Sequence, residues 1–161
     1  MRSGRGRWRV LLVALAALTF AGHVTASGAG RGAVACTPGV RSVGGATVRT
    51  FCGPAKGVAH AQGKTFHFSG GMCLVSRGYL TVNIGSITIG GPGVKPKFLY
   101  LGMDVRPPRD GKHANQIVSW QAPGKGYSLL GATVTVRGGL KRGSFTGRVI
   151  GDGPASGSFT C

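Results

Sequence analysis

The chain has 161 residues, with 20 lysines and arginines against 3 acidic residues, and a formal charge of +17 at pH 7. Its 31 glycines follow no collagen period, and 42% hydrophobic residues are enough for one domain with a modest core rather than a disordered chain. All three acids are aspartates, which leaves little material for catalysis by paired carboxylates.

In chain order, residues 1–9 ("MRSGRGRWR") carry four arginines and no acid, and an apolar run follows from Val10 to Phe20. With small residues at Val24-x-Ala26, this is the pattern of a secretory signal peptide over residues 1–26, cleaved after Ala26. The run falls short of the roughly 20 apolar residues that span a bilayer. "RSGRGR" lacks an adjacent arginine pair, so general secretion is the expected route. Residues 27–35 read as a flexible tail, and 36–161 as a single disulfide-bonded β domain.

Export decides how Cys36, Cys52, Cys73 and Cys161 are read. An even number of cysteines in a secreted chain implies two disulfides, in one of three connectivities. The favoured pairing is Cys36–Cys52, closing a short ring, and Cys73–Cys161, clasping the last residue to the middle of the chain. "AVAC" at 33–36 is also similar to a lipoprotein box. Such a box should follow the apolar run directly, whereas "SGAGRG" intervenes, and lipidation would leave Cys52 without a partner. A lipid anchor at Cys36 is therefore not expected.

Short stretches rich in β-branched and aromatic residues follow: "ATVRTF", "GVAHA", "KTFHFSG", "YLTVNIG", "SITIG", "KFLYLG", "QIVSW", "GATVTVRG", "GSFTGRVIG" and "GSFTC". Several alternate with period two. Val134 and Val136 face one way, and Thr133, Thr135 and Arg137 the other. Gln62-Gly63 predicts a two-residue hairpin in which Ala61 opposes Lys64, His60 opposes Thr65 and Val58 opposes His67. "RGGL" at 137–140 and "GDGP" at 151–154 are further turns, and 105–115 reads as a surface loop. Nine or ten short strands make an all-β protein, an antiparallel β-sandwich with immunoglobulin-like or barrel-like alternatives. Its core is expected to hold Phe51, Phe66, Phe68, Tyr79, Phe98, Tyr100, Trp120, Tyr127, Phe145 and Phe159.

"GKTFHFSGGMC", "YLTVNIG" and the closing "GSFTGRVIGDGPASGSFTC" together resemble the domain of the mycobacterial and actinobacterial LpqH-like lipoprotein antigens. The shared order is a Gly-Lys hairpin, a strand ending in Cys, a strand ending Asn-x-Ile-Gly, and a late strand pair ending on Cys. It covers residues 56–90 and 128–161. The resemblance implies a small secreted β-sandwich bridged between Cys73 and Cys161, associated with the cell envelope, adhesion and immune recognition, without enzymatic activity. This chain departs from the pattern in its extra Cys36 and Cys52 and in its lipidation box.

No nucleophile elbow, phosphate loop or zinc-binding cysteine pair is present, so no catalytic residue, metal or cofactor is expected. Asp110 and Asp152 read as turn residues, and Asp104 as a strand-end residue paired with Arg106. His60 and His67 share a face but lack a third ligand, which makes them solvent-facing side chains. Removing residues 1–26 takes away four arginines and leaves 16 basic residues against 3 acidic, or +13. Such a surface attracts polyanions. The candidate contacts are Lys95, Lys97, Arg106, Arg109, Lys112, Lys141 and Arg142, and the candidate partners are anionic cell-envelope polymers or lipid headgroups. Nucleic acid is not expected as the partner of an exported protein without a basic helix or an aromatic-basic sheet. The leading expectation is a secreted or envelope-associated binding or adhesion module, monomeric by default. The alternative is a soluble carrier or inhibitor module that takes an apolar ligand or a protein partner. A hydrolase would need a cleft joining an Asp to a His.

Overall fold

The computed structural model describes residues 36–161; the expected signal peptide and tail lie outside the described residues. Eleven strands account for most of this stretch: β1 (Gly39–Val43), β2 (Ala46–Thr50), β3 (Lys56–Ala61), β4 (Lys64–Ser69), β5 (Gly71–Ser76), β6 (Tyr79–Ile89), β7 (Tyr100–Val105), β8 (Gly111–Ala122), β9 (Lys125–Arg137), β10 (Arg142–Arg148) and β11 (Pro154–Thr160). All strand ladders are antiparallel. The expected all-β antiparallel class is the one observed, organised as one continuous sheet that is not closed into a barrel. The strand order is β1-β2-β6-β7-β8-β9-β10-β11-β3-β4, with β5 added to β6.

The sheet folds over on itself. Phe66 on β4 lies 6.4 Å from Trp120 on β8 and 5.3 Å from Tyr127 on β9, although β4 sits at the far end of the order. Trp120 and Tyr127 stack at 4.9 Å, and Phe145 approaches Trp120 at 6.4 Å. The inner face therefore forms one core, built from alternate residues such as Leu80, Val82 and Ile84 on β6 and Val134 and Val136 on β9. At a typical 25 cal/mol per Å² of apolar surface removed from water, each such side chain contributes about 1.5–3 kcal/mol.

Glycine inside the strands has a packing reason. Phe145 opposes Gly157 and Phe159 opposes Gly143 across the β10–β11 ladder. A Cβ on Gly157 would run into the Phe145 ring and the Val58 carbonyl oxygen, and one on Gly143 would lie 2.6 Å from the Phe159 ring. Each ring occupies the space that its neighbour's missing side chain leaves. Phe159 is buried while Ser158 and Thr160 are exposed, the parity expected for the last strand.

Both disulfides are present. Cys36 joins Cys52 and Cys73 joins Cys161, with Cα atoms 5.8 and 5.5 Å apart. The second ties β5 to the end of β11, where the Cys161 amide also donates to Lys141 O at 2.8 Å.

Four expectations need correction. The stretches "YLTVNIG" and "SITIG" form one strand, β6, bent at Gly85, whose φ is +90° and whose missing Cβ lets the Leu99 carbonyl approach. β1 was not expected, because it is exposed along nearly its whole length; and the strand expected to end at Cys73 is two strands, β4 ending at Ser69 and β5 running on through Cys73 to Ser76 with consecutive exposed residues that do not alternate. Of the expected 105–115 loop, Val105 ends β7 and residues 111–115 belong to β8, where Gly111, Lys112 and His113 pair with the end of β9. Finally, Phe51, Tyr79, Phe98 and Tyr100 lie outside the main core cluster. Phe51 and Tyr100 bury each other instead, with ring centroids 5.9 Å apart. Arg49, Arg106 and Arg41 lie over the rings of Phe51, Tyr79 and Phe98.

Candidate functional site

Directly opposed residues on neighbouring strands send their side chains to the same face of a sheet. The turn over Gly138 and Gly139, both with positive φ, places Arg142 opposite Arg137. Arg142 in turn opposes Thr160, and Thr160 opposes Lys56. One outward row across β9, β10, β11 and β3 thus reads Arg137, Arg142, Thr160, Lys56, and all four are exposed. Its span is about three strand spacings of roughly 4.8 Å. The adjacent row runs Lys112, Thr135, Ser144, Ser158, Val58 and His67. Beyond it lie Thr133, Thr146, Ser156, His60 and Thr65. The outer face of this part of the sheet is a field of hydroxyls with cations along one end.

That end is fixed by Asp110. Its two carboxylate oxygens accept from the amides of Gly139 and Leu140, both at 2.9 Å. These amide bonds hold its carboxyl below the usual carboxylate range, the Gly139 bond most strongly. The contact joins the β7–β8 loop to the β9–β10 turn and so brings Arg109 and Lys141 to the same end of the sheet. Buried His113 braces the loop through its Nε2, 2.9 Å from Arg109 O.

The other two aspartates are also engaged. Asp152 pairs with Lys125 at 3.0 Å, the one ion pair among the described residues. Asp104 accepts from the Thr81 hydroxyl at 2.5 Å, instead of pairing with Arg106 as expected. Carboxylates therefore neutralise neither Arg137, Arg142 and Lys56 nor Lys112. Like charges placed directly opposite on a sheet destabilise it by a few tenths of a kcal/mol or more. The Arg137–Arg142 pair carries that cost without an internal counterion.

The structure separates the seven cations singled out by sequence. Arg109, Lys112, Lys141 and Arg142 gather at the cationic end. Lys95 and Lys97 sit in the β6–β7 connection, at the opposite side of the strand order, where Lys97 Nζ donates to Val43 O at 3.2 Å. Arg106 lies over the Tyr79 ring, 5.4 Å from its centroid. Lys56 and Arg137 were missed as contacts, although the outward parity of Arg137 was readable from "TVTVRG". His60 and His67 take the predicted hairpin register, on Gln62 and Gly63 with positive φ at both. His60 Nδ1 lies 3.0 Å from Thr65 Oγ1, and among the described residues no group of three or more metal-ligating side chains forms.

Comparisons with protein-family models, with curated proteins and with solved structures gave no match. Among the described residues, no helix is long and apolar enough to cross a membrane.

Proposed function

We propose that this chain is an exported, envelope-associated binding module that holds anionic polymers on the outer face of β9, β10, β11 and β3. The observation that carries this reading is the row of Arg137, Arg142 and Lys56, exposed and free of carboxylate partners. The inner face is filled by Trp120, Tyr127, Phe145 and Phe159, which favours the outer face over an apolar carrier cavity. The basic and apolar N-terminal pattern, the two disulfides and the likeness of motif order to the LpqH-like antigens support the envelope setting. Attraction works here by release of counterions. With the row's three cations as contacts and a slope near that of nucleic-acid polyelectrolytes, roughly 0.7–0.9 per contact, a fourfold rise in salt weakens binding about 20- to 40-fold.

The test uses protein spanning residues 27–161 with both disulfides formed, titrated with heparin and with teichoic acid. The triple variant Arg137→Ser/Arg142→Ser/Lys56→Ser is compared with Lys95→Ser/Lys97→Ser/Arg106→Ser, which removes the same charge elsewhere. Binding should fall more than tenfold in the first and less than threefold in the second. Equal losses would mean that net charge alone binds, and would overturn the site.

A further inference from the structure

A second concavity, an open groove of about 640 Å³, lies on the outer face of β6, β7 and β8. Its floor follows from one glycine. The outward row there is Asn83, Gly102, Ser119, and a Cβ on Gly102 would collide with the ring and hydroxyl of Tyr100. The Tyr100 ring therefore lies down on bare backbone, and its hydroxyl donates to Asn83 Oδ1 at 2.6 Å. That bond orients the Asn83 amide and leaves its NH2 group as a donor. In the next row Asp104 stands between Thr81 and Ile117. Thr81 occupies Asp104 Oδ1, which leaves Oδ2 to accept.

One wall is built into the strand. The β8–β9 register shifts on both sides of Gln116, and Asn115 takes a φ of +57°. Gln116 locks this bulge to the end of β7: its Oε1 accepts from the Arg106 amide at 3.0 Å, and its Nε2 donates to Ala114 O at 2.6 Å. Bulges of this kind re-aim side chains beside binding sites. Arg106 closes the end by lying over Tyr79, and Ile117, 59% exposed, forms an apolar lip.

The groove thus differs from the cationic row. It holds one carboxylate and one guanidinium, so its net charge is close to zero and a polyanion would meet Asp104. Acceptor, amide donor and hydroxyls alternate at strand spacing beside an apolar edge, a pattern complementary to a sugar ring with its vicinal hydroxyls and its C–H face. Such sites combine apolar lining with a few placed polar groups. We infer that the outer face of β6, β7 and β8 is a second binding site, for an uncharged hydroxyl-rich glycan chain, with Asp104 and Asn83 as the hydrogen-bonding pair. The site does not depend on the cationic row.

The test is NMR on the disulfide-intact protein in 0.5 M salt, where polyelectrolyte attraction is screened. Cellohexaose, maltohexaose and mannohexaose serve as probes. At least one should show saturation transfer and shift the amide signals of residues 81–83, 102–104 and 115–119. Asp104→Asn and Asn83→Ala should each weaken that binding more than tenfold, whereas the Arg137/Arg142/Lys56 triple variant should leave it unchanged. Transfer to none of the three sugars, or shifts confined to other parts of the sheet, would overturn the inference. The shift map is read on the wild-type protein, so the test holds even where a variant folds poorly.

Discussion

Removing the Cys73–Cys161 bridge should cost more than removing Cys36–Cys52, and the difference is calculable. The bridges span sequence separations of 88 and 16. In the chain-entropy account, rings of those lengths contribute about 4.6 and about 3.1 kcal/mol. The architecture widens the gap. Cys73 packs against the core, and β5 is otherwise held mainly by its ladder with β6. The shorter ring constrains β1 and β2, which supply no residue to the main core cluster. A domain of this size has a total stability of about 5–15 kcal/mol, so the long bridge is a large fraction of it. Cys73→Ser/Cys161→Ser should lower the midpoint of thermal unfolding by roughly 15–20 °C, and Cys36→Ser/Cys52→Ser by roughly 10–15 °C, at about 3–5 °C per kcal/mol. Differential scanning calorimetry reads both. Hydrogen exchange should show β5 and β11 opening first in the former variant and only β1 and β2 in the latter. Equal midpoints, or a greater loss from the short ring, would refute the reasoning.

Two further predictions come from packing and ionisation. Gly157→Ala forces a methyl into the Phe145 ring and should destabilise by about 1–3 kcal/mol in urea unfolding, with partial recovery in Gly157→Ala/Phe145→Leu. Burial pushes the Tyr100 phenol up to about 12, with Asp104 adding to the rise and Arg49 opposing it. The unfolded chain then loses this proton first. The Tyr100 contribution is complete below pH 10 and is lost as pH climbs towards 12, so Tyr100→Phe should flatten the alkaline limb of the stability curve.

The parts of this fold legible in the sequence are those set by neighbours in the chain. Gln62-Gly63 fixes a two-residue turn, and the turn fixes the β3–β4 register as far as His67. Alternation in "TVTVRG" showed that Arg137 points outward, because period two needs only one strand. It did not show that Arg142 stands opposite, since that depends on how many residues the "RGGL" turn consumes. The cationic row consequently emerged from the ladder alone. Tyr100 was misassigned for a related reason. It alternates with Leu101, and nothing local says which of the two faces inward. The bare backbone at Gly102 and the neighbouring Phe51 let a large ring lie flat on the outer face of the sheet and still be buried. The groove itself was illegible because its wall depends on a bulge, and its floor on a glycine that reads like many others.

The long bridge also governs how the molecule responds to force. Tension applied between residue 36 and Cys161 would pass through both bridges and bypass the chain they enclose. The 88-residue ring alone hides roughly 300 Å of contour length at about 3.4 Å per residue. Only the stretch between Cys52 and Cys73 is left to pay out, roughly 70 Å. β6 to β10, which carry the groove and most of the cationic row, lie inside the shielded ring. Such tension would leave the groove, Arg137 and Arg142 in place, while β3 and β4 would give way first and take Lys56 out of the row.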